Sequence, residues 1–332
     1  MTAQRASGCL YGMAMGDALG ADTEFLNVEQ ILRQYPPDGP RELVGNPARV
    51  TDDTQMGIAV GRALLKAQQP YTRATLHQPL RDSFLEWLNS TDNTRAPGNT
   101  CLEACYNMED GKPWYEATIA WSKGCGANMR VAPVGVLPAG EAGLTEQTRA
   151  AIAQFQAAMT HGHPTGLAAA DLTAAAIADL IAGGDPIKLP ARLREYALSQ
   201  RTVWHGDWLD PLLQQWRGSP ESNIARGWDE CLAILDRLDA TLAHPDRDSD
   251  PCKATGGGWI AEEAFGTGLL CFLLYPDDPR AAIRRAAVTS GDSDSIACLT
   301  GAFAGAVGWP KDWIERIEYR DVLDWMGQAW DR

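Results

Sequence analysis

Thr51-Asp52-Asp53-Thr54 sets two adjacent carboxylates and two hydroxyls directly before the small, apolar run Gln55 to Ala67, which reads as a helix. The pattern returns far down the chain as Gly291-Asp292-Ser293-Asp294-Ser295, followed by a second predicted helix from Ile296 to Val307. Both runs therefore lie at helix N-termini. Capping explains part of this, because Ser, Thr and Asp there satisfy the free N–H groups and suit the helix dipole. Capping needs one such residue, however, and neighbouring carboxylates repel unless a cation sits between them. Oxygen ligands of this kind suit Mg, Mn or Ca, and four converging acids have the makings of a site for two ions about 3.5–4 Å apart.

Outward from the first cluster, Gly12, Gly16 and Gly20 recur at every fourth position in Cys9 to Gly20, which predicts a helix face bare of side chains for close packing. Asp17 lies on that helix and Glu24 just past its end, at the start of a Pro-rich connection running to Pro47 that is long enough to suggest a functional flap. Downstream, helices are predicted over Ala74 to Asn89, from Thr100 onward, over Thr145 to Met159, Thr165 to Ala182 and Ser222 to Leu242, and over the apolar Ile260 to Leu274. Between them lie a glycine-rich loop, Ser122 to Arg130, able to offer backbone N–H groups to a phosphate or sugar, and the turn His161-Gly162-His163-Pro164, which suits either metal binding or a buried hydrogen-bonded turn. The Trp-rich stretch 200–218 carries no assignable pattern. Convincing period-two strands are absent, so the expectation is a single all-α domain over residues 1–332.

Composition narrows the function classes. A chain of 332 residues with 45% apolar content can bury a large core, and a formal net charge of −14 argues against nucleic acid and anionic membrane as partners. Eight cysteines, at 9, 101, 105, 125, 231, 252, 271 and 298, form no CxxC pair and have no histidines at zinc spacing, so they read as reduced thiols of a cytoplasmic protein. Asp17 interrupts the early apolar run that a signal peptide would need, and no stretch reads as a membrane span.

Seven blocks in order resemble the ADP-ribosylglycohydrolase family, of the bacterial dinitrogenase reductase-activating type. They are GDALGADTE (16–24), TDDTQM (51–56), PGNT (97–100), SKGCGANMRVAPVG (122–135), HGHP (161–164), GGWIAEEA (257–264) and GDSDSIACLTGAFAGA (291–306). The resemblance implies an all-α orthogonal helical bundle with a cleft holding two divalent cations, Mg2+ or Mn2+. It implies Thr51, Asp52, Asp53, Asp292, Asp294 and Ser295 as metal ligands and Glu24 on a flap over the metals; the reading of the residues adds Asp53 or Asp292 as the nearby base and Glu24 as the gate. It places substrate against Asn99, against Ser122, Gly124, Cys125, Gly126, Ala127, Asn128 and Met129, and against His163 and Trp259. The second metal motif usually reads GGDTDT; here serines stand at 290, 293 and 295, and Ser295 keeps the ligating hydroxyl.

The implied activity is release of ADP-ribose from a modified protein side chain, with arginine as the expected linkage, reversing a mono-ADP-ribosyltransferase. Hydrolysis of serine-linked or O-acetyl-ADP-ribose stays open within the family. Two rivals lie outside it: a two-metal phosphohydrolase cutting the diphosphate, and an immunity-type protein that binds and blocks a cognate ADP-ribosyltransferase.

Overall fold

The glycine stripe near the N-terminus organises the molecule. In the computed structural model, which describes residues 4–140 and 144–331, the helix Arg5–Gly20 lies antiparallel against Ser293–Val307. A Cβ on Gly12 would stand 2.7 Å from the carbonyl carbon of Gly301, and one on Gly20 would stand 2.6 Å from Asp294 Cα. Gly301 and Gly305 answer from the opposite side, meeting the backbone of Gly12 and Gly8. Backbone therefore packs on backbone. Because the pair is antiparallel, the C-terminal turn of the first helix, with Asp17, meets the N-terminal turn of the second, with Asp294.

Around this pair the other helices form an all-α bundle, and among the described residues β-pairing is limited to isolated bridges. Asp52–Lys66 packs on Arg73–Leu88, Glu146–Ala158 on Pro164–Ile181, and Ala261–Leu274 on Ser293–Val307. A continuous apolar cluster extends from Ala6 to Trp330. Pro164–Ile181 is long and apolar enough to cross a membrane by composition, but it lies in this core with 78% of its length buried. All eight cysteines are free thiols, six of them buried.

Two helices begin earlier than their apolar runs suggest. The helices start at Asp52 and Ser293, so the acids fall inside or beside the first turn. Thr51 is the N-cap of the first, its Oγ1 accepting from the Asp53 N–H at 3.4 Å. Asp292 holds the N-cap position of the second without making a side-chain cap bond.

The Pro-rich connection is not bare loop. It contains the helix Val28–Gln34, started by a reciprocal Asn27 and Gln30 capping box. Its far end is tied to the C-terminal segment, where the Arg316 guanidinium donates to Leu43 O and the Trp313 indole to Glu42. The Trp-rich stretch folds into two short helical turns, Gly206–Leu209 and Asp210–Gln215. Trp208 packs edge-on against Phe155, and the Trp216 indole N–H donates to Gly162 O at 2.9 Å. This stretch thus buttresses the His161–Pro164 turn from behind.

Candidate active site

Helix ends from three parts of the chain bring Asp17, Asp52, Asp53, Asp292 and Asp294 into one place, each no more than 5% exposed. Asp17 serves its neighbours: its carboxylate accepts from Thr51 N at 3.0 Å, Thr54 N at 3.0 Å and both threonine hydroxyls. It pins the TDDT turn to the first helix. Gly98 N donates to Asp52 at 3.0 Å and Ser295 N to Asp294 at 3.0 Å, while Asp53 Oδ1 is buried with no partner. Thr51 Oγ1 faces Asp17 at 2.8 Å, Asp294 at 3.3 Å and Asp53 at 3.4 Å, yet a hydroxyl has one proton to give. No lysine or arginine hydrogen-bonds or ion-pairs with these five acids among the described residues. Glu24, Asp292 and Asp294 each offer an oxygen within 4.8 Å of the others.

Five buried acids with an orphaned oxygen and no cation fit a divalent-ion site. Burial, then the charge of Asp294, pushes Asp17 up to about 7 and Asp53 well above the carboxylate range. Burial is also the main cause that lifts Asp52 to about 8 and Glu24 to about 9. The folded, metal-free protein therefore holds protons that the unfolded chain has already lost, so its stability falls as pH rises through this range. The melting temperature of chelated protein is expected to drop between about pH 5 and pH 8, and a saturating divalent cation to restore most of the loss. A flat profile, unaffected by metal, would contradict the assignment.

Beside the acids runs the glycine-rich loop, a single 3-10 turn at Cys125–Ala127. Cys125 N donates to Trp259 O at 3.1 Å and Ala261 N to Lys123 O at 2.9 Å, fastening the loop to the Gly256–Trp259 turn. That turn in turn seats the second acidic cluster, since Asp292 N donates to Gly257 O at 2.8 Å. Gly256 and Gly258 take positive φ there, a geometry other residues resist. The Lys123 ammonium is taken up by Glu230 and Glu262, so the loop's nearest cation is neutralised. The Cys125 thiol donates to Asp292 at 2.9 Å.

His161 supports the loop from below, its Nε2 lying 3.3 Å from where a Cβ on Gly124 or Gly126 would be. Arg130 can only donate, so Thr160 Oγ1 accepts from it at 2.8 Å, and the same hydroxyl pairs with His161 Nδ1 at 2.8 Å, which fixes the ring with Nε2 on the loop side. Burial holds the imidazole neutral, down at about 3.

These parts line a cleft of about 450 Å3 with acids at its floor and, above them, Asn99, Thr100, Gly124, Cys125, Gly126 and Met129. Its mouth is spanned by Phe25 and Trp259, stacked with ring centroids 5.6 Å apart. Phe25 holds this position at φ +62°, which is strained for a bulky residue.

The cleft gathers most of the residues singled out from sequence: Glu24, Asp52, Asp53, Asn99, Gly124, Cys125, Gly126, Met129, Trp259, Asp292, Asp294 and Ser295 line it. Thr51 stands behind the acids, bonded to Asp17. Ser122 and Asn128 support the loop from outside the lining, Ser122 through Thr100 Oγ1 at 3.0 Å and Asn128 through Ala261 O at 3.0 Å; Ala127 is fully buried. His163 lies apart from the lining as the N-cap of Pro164–Ile181, its Nδ1 accepting from Thr165 N at 3.2 Å, and His161 occupies the wall. Two residues that sequence reading left aside thus matter: His161, two positions from the one chosen, and Phe25, whose only signal was adjacency to Glu24.

Fold and site together describe an all-α bundle whose cleft is centred on buried carboxylates. The chain belongs to the ADP-ribosylglycohydrolase family, whose sequence pattern matches residues 1–331. It is 26% identical to the ADP-ribosyl-[dinitrogen reductase] glycohydrolase of Rhodospirillum rubrum over 95% of this chain and 91% of that one. It is 27% identical to an uncharacterized protein of Archaeoglobus fulgidus over 95% and 92% of the two chains. It is 24% identical to an ADP-ribosylarginine hydrolase of Serratia proteamaculans over 96% and 76%. A solved structure titled an ADP-ribosylglycohydrolase-related protein complex superposes with a TM-score of 0.71 at 21% identity, covering 99% of this chain and 97% of that one, and so shares the fold.

Proposed function

We propose that the protein hydrolyses the bond between ADP-ribose and an arginine side chain of a modified protein, with divalent cations bound by Thr51, Asp52, Asp53, Asp292, Asp294 and Ser295. The observation that carries this is the set of buried carboxylates, unpaired with lysine or arginine among the described residues, at the floor of a cleft whose upper wall is glycine backbone and aromatic rings. Bound there, Mg2+ or Mn2+ supplies charge neutralisation and lowers the pKa of water.

The chain's own residues supply the rest. Within the Gly124–Met129 loop the Gly126 backbone suits the diphosphate, since Gly124 N, Cys125 N, Asn128 N and Met129 N already donate inside the protein, and the cleft lining holds no lysine or arginine. The His161 ring packs beneath that loop, and Trp259 with Phe25 covers the adenosine end. Asp53 or Asp292 orients the attacking water and takes its proton at a carboxylate oxygen, on the face of the ribose opposite the leaving group. Glu24, half-buried at the edge, gates the site and pairs with the substrate guanidinium, which leaves as neutral guanidine and takes up the proton that the base removed from water. The arginine assignment draws on the Serratia relative, named an ADP-ribosylarginine hydrolase, and the protein-linked substrate on the Rhodospirillum relative, named an ADP-ribosyl-[dinitrogen reductase] glycohydrolase.

The test is incubation with proteins carrying arginine-linked or serine-linked ADP-ribose and with O-acetyl-ADP-ribose, with products separated by chromatography. Intact ADP-ribose from the arginine-linked protein is expected. Release only from the serine-linked or acetylated substrate overturns the linkage and keeps the family chemistry. AMP as product points to a phosphohydrolase, and tight binding of a transferase without turnover points to a blocking protein. Trp259→Ala is expected to raise KM roughly tenfold with little change in kcat, since base stacking contributes about 1–3 kcal/mol per ring; an unchanged KM would remove the ring from the substrate's path.

A further inference from the structure

A second hollow, of about 720 Å3, lies on the outer side of Glu24 and Phe25 and shares those two residues and Ala96 with the cleft. We propose that this hollow receives the polypeptide that carries the modification, with Arg49 reading an acidic residue beside the modified one; the inference rests on the hydrolase reading above. Thr51 faces the outer hollow, while its neighbours Asp52 and Asp53 face the inner cleft, so the acidic floor runs along the boundary between the two. A glycosidic bond cut at that floor has ADP-ribose on one side and the protein on the other. The glycine loop and Trp259 belong to the inner side, which leaves the outer side for the polypeptide.

The lining suits such an occupant. Ala18, Ala21, Val44, Pro47 and Val50 give it an apolar bed, and Val44 and Phe25 are 61% and 68% exposed. Two acids and two arginines reach it; of the acids, Asp22 accepts from the Tyr35 hydroxyl and Glu24 groups with Asp292 and Asp294 on the inner side. Arg95 is engaged by Glu318 and by Val50 O, whereas exposed Arg49 makes no hydrogen bond or ion pair among the described residues. On a chain of net charge −14, an uncompensated guanidinium beside an apolar groove complements an acidic side chain on the partner. A planar, fixed fork of donors also favours a carboxylate over a neutral group.

The test uses the full chain with Mn2+ and three substrates: free ADP-ribosylarginine, and two peptides in which ADP-ribosylarginine is flanked by glutamates or by lysines. Wild type is expected to prefer the acidic peptide by about tenfold in KM, a single charge-assisted contact's worth. Arg49→Glu should erase or reverse that preference and leave kcat and the rate on free ADP-ribosylarginine unchanged. Val44→Ser should raise KM for both peptides and again spare the small substrate. Equal KM values for both peptides in wild type and Arg49→Glu would overturn the proposal while hydrolysis of free ADP-ribosylarginine upholds the hydrolase reading. No turnover of free ADP-ribosylarginine by wild type overturns that reading instead. A concentration-dependent dimer that Arg49→Glu dissociates would assign the hollow to a second copy of the chain and overturn the proposal as well.

Discussion

Asp294→Asn is expected to lower kcat by about 10^3-fold or more while making the metal-free protein more stable, not less. Both effects follow from one arrangement. Asp294 is 3% exposed and shares its surroundings with Asp17, Asp53 and Asp292, with no lysine or arginine bonded to it among the described residues. Without a bound cation, its charge adds repulsion and desolvation cost that an amide of the same shape avoids, worth roughly 1–2 kcal/mol here. With a cation, the same oxygen becomes a ligand that the amide cannot replace. Thermal melts of wild type and variant, with chelator and with Mn2+, separate the two effects. The variant should melt higher than wild type in chelator and gain less from the metal. A variant that melts lower under both conditions would mean the carboxylate holds the fold together.

Gly12→Ala is expected to destabilise the protein by about 3 kcal/mol and to weaken metal binding although it lies over a turn from any acid. Its added Cβ would stand 2.7 Å from the Gly301 carbonyl carbon, and Gly301 faces back on Gly12 in the same way. Backbone cannot rotate aside as a side chain can, so the two helices must part. Parting them separates Asp17 from Asp294, since the same helix pair carries both. Denaturant unfolding gives the stability, and calorimetric titration gives the metal affinity. Loss of stability with wild-type affinity would show that the acids are placed independently of the glycine stripe.

The fold was legible where the chemistry of single positions dictates it. A glycine at every fourth residue permits backbone contact and little else, and Asp-rich turns ahead of small apolar runs mark helix starts. The acids' start positions were misjudged by three residues because an apolar run shows where burial begins, while Thr51 capping shows where the helix begins. The Pro-rich connection read as open flap because prolines hide the short Val28–Gln34 helix between them. In the site, clustered carboxylates announce themselves, but partners from distant segments do not. Nothing local marks His161 over His163, since the choice depends on Arg130 and Thr160 directing the ring toward Gly126. Phe25 and Trp259 meet through space across more than two hundred residues, and only the folded chain brings them together.

Central to the proposed function is a divalent-cation site, formed by the buried acids, that carries the hydrolysis. Its most direct test is titration of chelator-treated protein with Mn2+, following bound metal by calorimetry and ADP-ribose release from an arginine-modified protein in the same samples. Release should be absent in chelator, rise in step with occupancy, and stop rising once the site is filled. Full release from protein shown by elemental analysis to hold no metal would contradict it.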